Sequence, residues 1–165
     1  VVNTGWPISP SNGGPWVPNG NSSRWIAPRA EQNQAFVDPS FGNQPGLYTM
    51  ETTFDLTGFI PASAEVEVHL WADNQVNDVV LNGVSLGLTA PSFDNAGGRF
   101  YVVNGPFVPS VNTLEFVWEN LPPNLNPAGL RVELSGRALV IPEPSSFGIA
   151  GLCLALALVW RRRRA

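Results

Sequence analysis

Lysine is absent from this 165-residue chain, and cysteine and histidine each occur once, as Cys153 and His69. A single cysteine excludes a disulfide framework, and the pair excludes a zinc site built from cysteine and histidine. Charge is scarce, at 13% of residues, and unevenly placed. All nine basic residues are arginines, and four of them (Arg161, Arg162, Arg163 and Arg164) form one run before the terminal alanine. Up to residue 144 the chain holds five arginines against thirteen acids, a net charge of −8. An acidic body repels phosphate backbones, which excludes nucleic acid as a partner. Amphipathic helical periodicity is also missing, so a helical bundle is excluded.

Apolar and aromatic residues are plentiful. Hydrophobic residues make up 44% of the chain, with six tryptophans and nine phenylalanines. That is enough apolar area to offset the entropy of ordering, so disorder is excluded despite 16 glycines and 16 prolines. Residues 1–46 hold much of the punctuation: Trp6-Pro7, Asn12-Gly13-Gly14-Pro15, Pro18-Asn19-Gly20, Asp38-Pro39 and Gln44-Pro45-Gly46. Regular structure does not survive turn signals at that density. Trp6, Trp16 and Trp25 are expected to pin this irregular segment, because indole supplies packing area where no strand exists.

Beyond Gly46 the pattern alternates. In residues 65–72, Val66, Val68, Leu70 and Ala72 fall on one face, and Glu65, Glu67, His69 and Trp71 on the other. Residues 113–119 place Leu114, Phe116 and Trp118 together. Residues 129–136 set Leu130, Val132 and Leu134 opposite Arg131, Glu133 and Ser135. A period of two marks half-buried strands. Further strands are expected at 48–56, 78–81, 85–88 and 99–103, with Asn82-Gly83 as a type I′ hairpin turn. The expected architecture is all-β: a jelly-roll type β-sandwich over residues 1–139, with a turn-rich N-terminal segment.

Residues 140–165 read VIPEPSSFGIAGLCLALALVWRRRRA and form a separate unit in three parts. Pro142, Glu143 and Pro144 hold the chain extended, and Ser145 or Ser146 caps the short hydrophobic helix expected after them. The apolar stretch from Phe147 to Trp160 has 14 residues, roughly 21 Å as a helix, short of a comfortable bilayer span. The arginine run then lies on the cytoplasmic side, with Trp160 at the interface. Cys153 reads as a small apolar filler.

This tripartite segment resembles the PEP-CTERM sorting signal of Gram-negative bacteria. The resemblance implies an exported protein, held at the inner membrane as an anchored precursor and cleaved near the Pro-Glu-Pro triplet by an exosortase. A cell-surface or extracellular destination follows. Such proteins also bear a signal peptide, so Val1 is either a mature N-terminus or a fragment boundary. In the body, Trp71-Ala72-Asp73-Asn74 and Val80-Leu81-Asn82-Gly83 are similar to segments of galactose-binding and carbohydrate-binding-module sandwiches. Residues 15–28 and 124–132 are similar to the opening and closing segments of PEP-CTERM sandwich proteins.

Gly83-Val84-Ser85-Leu86-Gly87 matches the serine-hydrolase elbow, but that motif needs a following helix and a later histidine, and His69 lies upstream. Glu65 with Glu67, and Glu115 with Glu119, are carboxylate pairs of the kind glycosidases use, though strand alternation produces such pairs as a solvated face. Asp73, Asn74 and Asp78 are candidate calcium ligands, since calcium takes loop carboxylates and amides; the plainer reading is turn formation. Trp71, bordered by Glu67, Asp73 and Asn74, is the candidate glycan platform if its indole is exposed; the competing and favoured reading is that a sheet, a loop or the tryptophan-rich N-terminal segment covers it. The expected function is non-catalytic association with exopolysaccharide or biofilm. A carbohydrate-binding module with a defined ligand stands second, and a glycan hydrolase third.

Overall fold

The computed structural model describes residues 2–3, 16–17, 19–29, 43–91, 97–123 and 125–143. Among these residues nine strands follow in order: β1 (Val2–Asn3), β2 (Ile26–Ala27), β3 (Gly46–Asp55), β4 (Glu65–Asp73), β5 (Gln75–Leu81), β6 (Val84–Ser85), β7 (Arg99–Val103), β8 (Val111–Asn120) and β9 (Gly129–Arg137). A 3-10 turn, Pro61–Ser63, precedes β4. Two wholly antiparallel sheets result, ordered β1-β2-β9-β4-β7 and β3-β8-β5-β6.

The alternation decides which face of each strand meets the other sheet. Val66, Val68, Leu70 and Ala72 of β4 share one core with Val79 and Leu81 of β5 and Leu114, Phe116 and Trp118 of β8. Leu130 joins them, but Leu134 on the same face of β9 is 42% exposed. It lines an open cleft of about 280 Å³ with Thr52, Phe54, Phe59, Ala64 and Val66, where the sheet ends part.

Asn82 and Gly83 have φ values of 51° and 78°, as the expected type I′ turn requires. Two strand limits differ from the sequence pattern by three residues. β5 starts at Gln75 rather than residue 78, because β8 pairs with it from Glu119 onward. The strand expected over 85–88 stops at Ser85, since Gly87 takes φ 64° and turns the chain. Buried asparagines close the loops. Asn112 Oδ1 accepts from Val108 N at 2.8 Å, and its Nδ2 donates to Val108 O and Ser110 O. Asn120 Nδ2 donates to Asn43 O and Gln44 O.

Backbone pairing with the body continues past residue 139. Ile60 N donates to Leu139 O, Phe59 bridges Val140, and Ile141 N donates to Gly58 O. No helix among the described residues is long and apolar enough to cross a membrane. The hydrophobic helix expected between Phe147 and Trp160 lies outside the described residues.

Candidate functional site

The outward face of β4 is divided by what lands on it. Registers align Trp71 with Arg131, His69 with Glu133 and Phe100, and Glu67 with Ser135 and Val102. At one end the tryptophan-rich N-terminal segment covers the sheet. Trp16 stacks on Trp25 with centroids 4.3 Å apart, and both join Trp71 in a small apolar cluster. Trp25 N donates to Asn19 Oδ1 and its Nε1 to Val17 O, which ties the segment together. Trp16 and Trp25 thus pin the lead-in as expected; Trp6 lies outside the described residues.

Trp71 is therefore not the exposed platform that strand alternation alone predicts. It is 8% exposed, with the Arg131 guanidinium carbon 4.6 Å from its ring centroid and the His69 ring centroid at 3.8 Å. Gly98 packs so closely beneath it that an added Cβ would lie 2.7 Å from the indole.

Asp73 is buried beside this cluster, and its Oδ2 accepts from Trp16 Nε1 at 2.8 Å. Burial pushes its carboxyl up to about 7, opposed in part by the Trp16 hydrogen bond. Asn74 faces elsewhere: its Oδ1 accepts from Leu121 N. Asp78 Oδ1 accepts from Gly87 N. The three candidate calcium ligands serve three separate loops, and no cluster of three metal-ligating acids, histidines or cysteines occurs among the described residues.

The remaining part of the face is open. Ser22, Glu67, His69, Phe100, Glu133, Leu134 and Ser135 line a groove of about 300 Å³. Phe100 is 56% exposed and meets His69 edge-on, with centroids 6.0 Å apart. His69 holds the loop beneath through its Nε2 contact to Gly97 O. Glu133 Oε1 accepts from Ser23 Oγ at 2.8 Å and Arg131 Nη2 at 2.6 Å, and these partners hold its carboxyl below the usual range. Glu67 Oε2 accepts from Ser135 Oγ at 2.7 Å. An aromatic ring thus lies beside two carboxylates, one balanced by Arg131 and one held by a hydroxyl.

Of the four residues expected to bind glycan, only Glu67 lines this groove. Phe100 and Glu133, which also line it, are not among the residues the sequence singles out. Glu133 was legible as outward-facing, whereas the place of Phe100 depends on pairing between β7 and β4.

The other motifs stay apart. Ser85 sits on the edge strand β6, in the sheet opposite His69. Glu119 accepts from Gln75 and Asn77, as part of a polar network on the other sheet. Pro142 and Glu143 are exposed at the end of the described chain; Pro144, Phe147, Trp160 and Arg161, Arg162, Arg163 and Arg164 lie outside it.

Residues 140–164 match the PEP-CTERM protein-sorting motif. No curated protein and no solved structure matches the chain. The motif marks an exported protein with a membrane-anchored precursor and exosortase as its processing partner.

Proposed function

We propose that the mature body, released from its sorting segment, is a non-catalytic sandwich of the cell surface or extracellular matrix that associates with exopolysaccharide or biofilm. The observation supporting a glycan ligand is the groove in which Phe100 stands exposed beside Glu67, His69 and Glu133. A flat ring stacks on the C–H face of a sugar, and neighbouring carboxylates accept from its hydroxyls. With Arg131 paired to Glu133 and Glu67 beside them, the groove carries no surplus positive charge, so neutral sugars and amino sugars suit it better than uronic acids. One aromatic contact contributes about 1–2 kcal/mol, so single-site binding is weak and gains strength by avidity on a polymer.

Glu67 and Glu133 lie on neighbouring strands, an arrangement that also invites a hydrolase reading. Such a mechanism needs one carboxyl kept protonated as the acid. Glu133 is driven the other way by Ser23 and Arg131, so in that reading the acid role would fall to Glu67 alone.

Affinity electrophoresis through gels containing neutral, amino-sugar or uronic polysaccharides tests the reading. The body is retarded by at least one of the first two classes, and Phe100→Ala removes the retardation. Equal retardation of the variant would place the ligand elsewhere. A single strongly preferred glycan would favour a dedicated binding module over a general matrix role.

A further inference from the structure

We propose that the end of the two-sheet body from which the sorting segment leaves is a membrane-docking rim, which rests on the lipid surface while the precursor is anchored. The proposal builds on the exported, anchored precursor read above. The turns at 56–64, 82–83 and 104–110 and the chain exit after Arg137 share this end, because Asp55 pairs with Val111, Leu81 with Leu114 and Glu65 with Arg137. Asn82 Nδ2 ties two of the turns together by donating to Pro106 O and Asn112 Oδ1.

Exposed apolar side chains concentrate there. Among the described residues twelve large hydrophobics are exposed, and seven belong to this end: residues 139–141 with Ile60, Val84, Val108 and Val111. The exit residues are the most open of the seven, Leu139 at 65% and Val140 at 66%. Their backbone is nevertheless fixed, by Ile60 N to Leu139 O, Leu139 N to Ser63 Oγ and Ile141 N to Gly58 O. The rim is thus built as a surface that presents apolar groups outward. Exposed apolar side chains gathered at one place mark an interaction site more strongly than the same residues scattered singly.

The chain beyond the rim says what covers it. Five residues, 142–146, separate Ile141 from the apolar stretch that begins at Phe147. Fully extended they reach about 20 Å, so the rim is held close to whatever surface takes up that stretch. The ten-residue strands β3 and β8 carry the opposite end about 30 Å farther away. Of the charges at this end, Arg137 Nη2 pairs with Glu65 Oε1 at 2.5 Å, while Asp55 and Glu143 stay exposed. A lipid interface accepts apolar side chains at the level of the headgroups. Docking there would hold Pro142, Glu143 and Pro144 at the membrane surface, where an enzyme embedded in the bilayer works.

Fluorophores on single cysteines test this in the full chain, with Cys153→Ser as background. Ser110→Cys marks the rim and Gln44→Cys the far end, in vesicles of phosphatidylethanolamine with a minority of phosphatidylglycerol. Quenching by a headgroup nitroxide is expected to be at least three-fold stronger at position 110 than at 44, and to persist when a flexible linker of glycine and serine is inserted between Ile141 and Pro142. Equal quenching, or loss of the difference on linker insertion, would show that the tether alone sets the distance and would overturn the proposal. Protection of position 110 only after exosortase is co-reconstituted would make the rim a protein interface and overturn it as well. If the full chain fails to float with the vesicles, the anchored-precursor reading fails first and the rim with it.

Discussion

Trp16 donates its indole hydrogen to Asp73 Oδ2 across 57 residues of sequence, at 2.8 Å and out of contact with water. That bond fixes the N-terminal segment on the five-stranded sheet and divides the sheet's outer face into a covered part and an open groove. It also leaves a buried carboxyl whose Oδ1 has no hydrogen-bond partner.

Stability should therefore fall as pH rises. Burial raises the folded-state value for Asp73 from 3.8 to about 7, so the folded protein binds this proton more tightly than the unfolded chain. The contribution is fully present below about pH 4 and is lost as pH rises through about 7, on the order of 4 kcal/mol in all. Urea titrations across that window measure it, and Asp73→Asn should flatten this part of the profile.

Trp71 and Phe100 should separate packing from binding. Removing the covered indole by Trp71→Ala is expected to cost about 3–5 kcal/mol, as for other buried aromatics. Phe100→Ala should cost less than about 1 kcal/mol, because the ring is largely in solvent. Thermal or urea unfolding of the two variants gives the comparison. Unfolding of Phe100→Ala comparable to that of Trp71→Ala would make Phe100 a structural residue.

Gly98 has φ 64°, and an added Cβ would lie 2.6 Å from Leu70 O and 2.7 Å from Trp71. Gly98→Ala is expected to lose about 3 kcal/mol through backbone strain and overpacking. Near-ultraviolet circular dichroism should change with it, since the displaced ring is the indole packed against His69.

Asn112→Ala should destabilise the turn between β7 and β8. The side chain satisfies Val108 N, Val108 O and Ser110 O and receives a hydrogen bond from Asn82 Nδ2. Stranding those groups costs about 2–3 kcal/mol, read as a lower denaturant midpoint with an unchanged slope. Local hydrogen exchange at Val108 should accelerate.

Strand alternation was legible because each sheet faces a single core, so Val66, Val68, Leu70, Leu114, Phe116 and Trp118 announced their side. Asn82-Gly83 was legible because its turn demands positive φ at both positions. The cover over Trp71 was legible only as the favoured alternative, because alternation names a face and leaves open which segment arrives to cover it. The calcium grouping comes apart in the fold for a related reason. Asp73, Asn74 and Asp78 are close in sequence, but the turn from β4 into β5 sends each to a different partner. Phe100 required the register between β7 and β4, a long-range pairing with no local signature. Glu133 could have been paired with His69 only by knowing that β9 lies beside β4. The sorting segment is the opposite case: its three parts are contiguous, so the sequence displays all of it.

Export with removal of that segment is the central claim, and the intact mass of the exported protein tests it most directly. The mature species from cells with exosortase should end near Pro142, Glu143 and Pro144 and lack Arg161, Arg162, Arg163 and Arg164, while cells without the enzyme should retain the longer chain. An exported protein whose mass still includes the arginine run would contradict the account.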